Sequence, residues 1–190
     1  MSDLTLLGLC GSLRRESTNR KLMRAAAPHF GTARFIEGDL RLPLYDGDLE
    51  EAHGVPAEVQ RLGDEIRDAD AVVIACPEYN KALSGVMKNA LDWVSRVKGG
   101  VWRDKPVALL SAAAGRAGGE RSQFSLRLAL NAFRPRVLPG PEVMLADSAR
   151  QFDAEGRLLD EGAQKLLQEL MGDLRRVALE QRQRARSEAA

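Results

Sequence analysis

Two rhythms of apolar and polar positions alternate along this chain. Unbroken apolar runs at residues 4–10, 71–76 and 106–111 have the length and aliphatic content of strands covered on both faces. Between and after them, apolar positions recur at helical spacing. Val59, Leu62 and Ile66 share one face after Pro56, and Leu83, Val86, Met87, Ala90, Leu91, Val94 and Val97 form a stripe through a helix predicted over 84–98. Leu166, Leu167, Leu170, Leu174, Val177 and Ala178 do the same in a last helix over 162–182. Further helices are predicted over 19–30 and 120–133, and a weaker strand over 33–37 leads into a long connection, 38–54. A final strand falls within 136–145, interrupted by Pro139-Gly140-Pro141. Five strands alternating with five helices predict an α/β fold with a doubly wound parallel sheet and helices on both faces. With no internal repeat and no linker-like stretch, residues 1–183 read as a single domain. Residues 184–190 read as a polar tail expected to fray.

The chain's 190 residues are enough to bury a full core. A net charge of +1 gives no reason to expect nucleic acid or an acidic membrane as partner. No apolar run approaches the roughly 20 residues needed to span a bilayer. The start, Met1-Ser2-Asp3-Leu4, lacks the basic region of an export signal, so cytoplasm is the expected location. Cys10 and Cys76, each ending a predicted strand, then read as reduced, small, buried residues.

In a parallel sheet, loops leaving the carboxyl ends of strands bind ligands. The first of them, residues 11–20, offers Gly11 for a tight turn, the hydroxyls Ser12 and Ser17, the amide Asn19, and the guanidinium groups Arg14, Arg15 and Arg20. Ser17 or Thr18 is placed to cap the following helix, whose free N–H groups and positive dipole end attract an anion. A phosphomonoester suits this density of donors. A plain cap followed by solvated arginines is the competing reading. The second loop, Pro77-Glu78-Tyr79-Asn80, clusters a proline, an aromatic and an amide, which suits a flat polar ring better than a phosphate. A third, Ala112-Ala113-Ala114-Gly115-Arg116-Ala117-Gly118-Gly119, lets backbone approach a ligand closely.

One phosphate loop beside one ring loop points to a nucleotide-like cofactor. A P-loop is absent, and Gly8-Leu9-Cys10-Gly11 lacks the third glycine of the dinucleotide fingerprint, so a mononucleotide is expected. His29 and His53 lie apart, at a helix end and in a loop, and no cluster has zinc spacing, so neither a histidine base nor a metal site is expected. Trp93 falls beside an apolar stripe and reads as core or interface, while Trp102 is left open between a pocket mouth and a subunit contact. The arginines of the last helix read as a solvated face.

These residues resemble the NADPH-dependent FMN reductase family, the flavodoxin-like quinone, chromate and azo-dye reductases, over nearly the whole chain. Gly11-Ser12-Leu13-Arg14 with Ser17 and Asn19 is similar to the family's FMN phosphate loop. Pro77-Glu78-Tyr79-Asn80, continued by Gly85 and Lys88-Asn89-Ala90-Leu91-Asp92-Trp93, is similar to its isoalloxazine loop and following helix. Residues 39–50 resemble the long connection that helps form the family's subunit interface. The chain departs from the family at Ser84, where proline is common, and at Ala112-Ala113-Ala114, where a hydroxyl often occurs.

The resemblance implies a flavodoxin-like sheet of order 2-1-3-4-5 with FMN at the switch point. Ser12, Arg14, Ser17 and Asn19 would hold the phosphate, and Pro77, Glu78, Tyr79 and Asn80 would line the ring. Ser111, Gly115, Arg116, Gly118 and Gly119 would approach the pyrimidine end. The implied activity is hydride transfer from NADPH or NADH through bound FMN to a quinone-like acceptor, or to chromate, azo dyes or free flavin, by a ping-pong mechanism. No side-chain acid or base is required, because the flavin carries the chemistry. Arg116 is placed to meet the 2′-phosphate of NADPH. A homodimer or homotetramer is implied. A flavodoxin-like electron carrier or flavin-binding regulatory module without its own turnover is the main alternative, although small flavodoxins are usually acidic and this chain is not. A Rossmann enzyme without flavin, using Glu37 or Asp39 for the ribose, is a weaker one.

Overall fold

The computed structural model describes residues 4–188 of the chain. Met1-Ser2-Asp3, on which the reading of the chain's start rests, and the last two residues of the tail lie outside the described residues. In chain order the elements are β1 (Leu4–Cys10), α1 (Thr18–Ala26), β2 (Ala33–Gly38), α2 (Gly47–His53), α3 (Ala57–Asp68), β3 (Ala71–Ala75), β4 (Glu78–Tyr79), β5 (Ala82–Leu83), α4 (Gly85–Val94), β6 (Pro106–Ala112), α5 (Glu120–Leu130), β7 (Arg136–Val137), β8 (Val143–Leu145) and α6 (Glu161–Glu188).

The main sheet has the order β2-β1-β3-β6-β7, all parallel, with β8 also pairing β6. This is the expected 2-1-3-4-5 order, with the fifth strand in two pieces. β7 pairs with Pro106 and Val107, and β8 with residues 110–112; Pro139-Gly140-Pro141 separates them because proline brings no N–H to a ladder. Side chains along each central strand alternate between two cores. Leu4, Leu6, Val73, Ala75, Ala108 and Leu110 pack with α1 and α6, whereas Leu7, Leu9, Val72, Ile74, Val107 and Leu109 pack with α3, α4 and α5. Both faces are buried, which is why these strands are apolar throughout.

Several boundaries differ from the sequence reading. The helix expected over 19–30 is α-helical only to Ala26, then tightens to a 3-10 turn at Ala27–Phe30, where Pro28 has no N–H to donate. The helix expected over 84–98 ends at Val94, with Ser84 as its N-cap. α6 continues to Glu188, past the expected end at residue 182. Among the described residues no helix is long and apolar enough to cross a membrane.

The long connection contains a helix the sequence reading missed, α2, opened by Asp46, whose carboxylate accepts from the Asp48 N–H at 2.9 Å. No residue of α2 is buried, so no apolar stripe announced it. The connection is pinned to α4. Trp93 Nε1 and Asn89 Nδ2 both donate to the Pro43 carbonyl, at 2.8 and 2.9 Å, and Asn89 Oδ1 accepts from the Tyr45 N–H. Arg96 binds Glu50 at 2.9 Å, and Tyr45 meets Trp93 edge-on at 5.0 Å. Trp93 is therefore a core residue with a second task, holding residues 43–50 against the sheet layer. Trp102 is only 2 % exposed and belongs to the α3–α4–α5 core, where it also lines a cavity of about 590 Å³ with Val94, Val97, Val101 and Phe133.

Candidate active site

Strands β1, β3 and β6 are adjacent and parallel, so the loops after them emerge at one sheet edge. In the first loop Ser17 is the helix cap: its hydroxyl accepts from the Arg20 N–H at 3.3 Å. The N–H groups of residues 12–16 make no hydrogen bond to other described residues, and those of Thr18 and Asn19 open α1 without an intrahelical acceptor. Ser12 is buried, Leu13 is half-exposed, and Arg14 extends into solvent without an ion pair to another described residue. Arg20 reaches back to the Arg14 carbonyl. Unpaired backbone donors, two hydroxyls and exposed guanidinium groups make up the donor set a phosphate monoester requires.

Asn19 has a different job from the one expected of its side chain. Its Nδ2 donates to the Ala112 carbonyl at 2.8 Å and its Oδ1 accepts from the Ala112 N–H at 3.0 Å. The amide thus mimics a strand neighbour and ties α1 to the end of β6, leaving one Nδ2 proton and the Asn19 backbone N–H uncommitted. Two residues beside this loop escaped the sequence reading. Arg41 donates to the Leu13 carbonyl at 3.5 Å, and Ser148, after β8, shares a hydrogen bond with Thr18 at 3.1 Å. Both come from distant parts of the chain, and no local pattern marks either.

The second loop is not open coil. Glu78 and Tyr79 pair with Leu83 and Ala82 in a miniature hairpin. Asn80 and Lys81 turn it with φ of 51° and 67°, the two positive values that an I′-type turn needs and that asparagine tolerates well. Pro77 starts the segment, and Tyr79 stands at its tip, 47 % exposed. Glu78 turns towards α5: its carboxylate accepts from the Arg121 N–H at 3.0 Å and lies 3.7 Å from the Arg121 guanidinium. It caps α5 in place of Gly119, which has no side chain to do so.

In the third loop Gly118 and Gly119 adopt φ of 59° and 93°, and Gly118 lies directly against the Met144 backbone. Ser111 is fully buried, and its hydroxyl accepts from Gln123 Nε2 at 3.0 Å. Gln123, also fully buried and not anticipated from sequence, donates as well to the Val143 carbonyl at 2.9 Å. Residues 113–121 with Glu78 line an open groove of about 750 Å³, into which the exposed Gly115–Arg116 turn opens.

The loops are joined to one another by buried hydrogen bonds. Gly11 N–H donates to the Ala75 carbonyl at 2.9 Å, Ser84 Oγ donates to the Gly11 carbonyl at 2.6 Å, and Ser122 Oγ donates to the Cys76 carbonyl at 3.0 Å. Cys10 and Cys76 sit beneath this junction, and burial pushes both thiols above their ordinary value. Both are expected to resist a thiol reagent at pH 8 and to react only after denaturation, as a two-thiol release in guanidinium would show. Unfolding frees groups that ionise more readily, so their contribution to stability is full at neutral pH and falls as pH rises past the ordinary thiol value.

A sheet that changes winding direction between β1 and β3, with a phosphate-suited loop on one side and a ring-sized groove on the other, defines a flavodoxin-like flavoprotein. Comparison with known proteins agrees. The family model for NADPH-dependent FMN reductase matches residues 4–150. The chain is 42 % identical over 169 residues to an NAD(P)H-dependent FMN reductase of Pseudomonas aeruginosa, covering 88 % of this chain and 91 % of that protein. It is 36 % identical over 175 residues to a quinone reductase of Escherichia coli K12, covering 90 % and 92 %. Among solved structures, FerB, a flavoenzyme NAD(P)H:acceptor oxidoreductase from Paracoccus denitrificans, superposes with a TM-score of 0.83 at 32 % identity over 93 % of this chain and 98 % of that one. The chain belongs to the NADPH-dependent FMN reductase family.

Proposed function

We propose that this protein oxidises NADPH or NADH and reduces quinone-like acceptors at one shared face of a bound FMN, by a ping-pong mechanism. The observation carrying the reading is the convergence of three loops at one sheet edge, one with unpaired backbone N–H groups, one presenting the exposed Tyr79, and one whose residues 113–121 line an open groove with Glu78. The donor set fits FMN. Ser12, Arg14, Ser17 and the N–H groups of residues 12–19 hold the phosphate. Pro77, Tyr79 and Asn80 would line the ring, and Gly115, Arg116, Gly118 and Gly119 would approach its pyrimidine end, with the buried Ser111 behind Gly119. Asn19 and Glu78 act one step back, through Ala112 and Arg121.

When bound, FMN supplies acceptance of two electrons from a nicotinamide and their delivery to the second substrate. The chain's residues orient the partners. The hairpin of residues 78–83 presents Tyr79 as an exposed flat surface against which a nicotinamide or a quinone stacks in turn. Arg116, exposed and without an ion pair to another described residue, is placed for the 2′-phosphate of NADPH. Residues 1–183 act as one FMN-binding domain with 184–190 as a polar extension. Assembly as a homodimer or homotetramer is supported by Leu44, 81 % exposed beside Tyr45 and Leu49 on the connection. Two buried free cysteines suit a reducing, cytoplasmic setting.

Visible spectroscopy tests the activity. The purified or FMN-reconstituted protein is expected to show flavin bands that bleach within seconds of anaerobic NADPH addition and return with a quinone. Steady-state data varied in both substrates should give parallel double-reciprocal lines. Bands that NADPH and NADH leave unchanged would instead assign the chain to electron carriage from another donor.

A further inference from the structure

We propose that Ser84 is a positioning residue for FMN's phosphate, acting through the Gly11–Ser12 peptide; this rests on the reading of residues 11–20 as the phosphate loop. Ser84 is fully buried, and each polar group it has is committed. Its hydroxyl accepts from the Met87 N–H at 3.2 Å, capping α4, and donates its one proton to the Gly11 carbonyl at 2.6 Å. Its own N–H donates to Cys76 Sγ at 3.5 Å, which also lies 3.8 Å from the hydroxyl, and its carbonyl accepts from Lys88. A residue of the ring loop therefore grips the backbone of the phosphate loop.

The direction of that grip carries the inference. In a trans peptide the C=O of one residue and the N–H of the next point opposite ways. The Gly11 N–H is already fixed on the Ala75 carbonyl at 2.9 Å. With the Gly11 carbonyl also held towards Ser84, the plane of the next peptide has no freedom left. The Ser12 N–H must then point away from Ser84. It makes no hydrogen bond to another described residue, although Ser12 is buried. A buried donor left unsatisfied by the protein is costly unless a ligand or water meets it. Ser84 thus holds open a donor that an anion satisfies, and it does so at a point where Gly11 has no side chain to interfere. An aliphatic residue at position 84 could pack there but could donate nothing to the carbonyl.

The test compares FMN with riboflavin, which has the same ring and no phosphate, by titrating each apoprotein and following quenching of flavin fluorescence. Two variants are used. Ser84→Ala removes the hydroxyl and with it both hydrogen bonds, whereas Ser84→Thr keeps a hydroxyl able to make both. Ser84→Ala is expected to weaken FMN binding about tenfold, the effect of losing one oriented buried hydrogen bond, and riboflavin binding less than about threefold, while Ser84→Thr keeps FMN affinity within about threefold of wild type. The thermal midpoint of the apoprotein should fall in Ser84→Ala, so the FMN-to-riboflavin ratio, which a purely structural loss would not move, is the deciding readout. Equal losses for the two flavins, or no loss for either, would overturn the role of Ser84 while leaving the cofactor reading intact. Wild-type protein that fails to prefer FMN over riboflavin would overturn the phosphate loop itself.

Discussion

Gly118→Ala is expected to lower the stability of the apoprotein by about 2–5 kcal/mol, more than any other single methyl added to this site. Two costs combine. Gly118 has φ of 59°, where a side chain costs about 1–2 kcal/mol. An added Cβ would also lie 2.4 Å from both the carbonyl carbon and the oxygen of Met144 and 2.9 Å from the Leu145 nitrogen. These are backbone atoms of β8, itself paired to residues 110–112 of β6. No side chain can swing aside, so the third loop must lift from the sheet, adding roughly 1–3 kcal/mol. Gly115 is the internal control: its Cβ would meet nothing within 4 Å and its φ is ordinary, so Gly115→Ala should be neutral within about 0.5 kcal/mol. Urea unfolding of the two variants side by side decides the matter. Equal midpoints would mean that the loop does not pack on β8 as described.

Gly11→Ala should leave the protein folded but strip it of FMN. Here the glycine is needed for space, since its φ is unexceptional. A Cβ would stand 2.8 Å from Ser84 Oγ, 2.9 Å from Cys76 Sγ and 3.2 Å from Pro77 Cδ. All three atoms belong to the ring loop or its approach, so the methyl acts as a wedge between the two halves of the cradle. Overpacking of this kind costs roughly 1–3 kcal/mol. If that cost falls on the bound arrangement, FMN affinity drops by about ten- to a hundredfold. The variant should be purified largely colourless and recover its absorbance only at high added FMN. Undiminished affinity would show that Gly11 tolerates the methyl by moving Ser84, and that the junction is softer than its contacts imply.

These two glycines show how unevenly the site was legible. Gly11 and Gly118 both stood out as punctuation after strands, yet nothing local showed that one abuts a serine 73 residues away and the other a strand 26 residues on. Glu78 and Asn19 were read as belonging to the segments that follow β3 and β1, and the structure puts both there. The partners of their side chains, Arg121 and Ala112, depend on which loops the sheet order brings together. The hairpin of residues 78–83 was hidden because two residues per strand are too few to display a period of two. Helix α2 was hidden because it buries nothing and so carries no stripe.

By itself the sequence determined the doubly wound sheet, its strand order through the family resemblance, and the sheet edge at which the three loops meet. It could do so because strands buried on both faces must be apolar throughout and amphipathic helices must show their buried stripe; both constraints are local and repeat along the chain. Tertiary structure alone decided which side chains face a ligand and which brace the loops. That choice rests on hydrogen bonds between residues tens of positions apart. The donor and acceptor inventory of a serine, an asparagine or a glutamate is the same whichever partner the fold supplies.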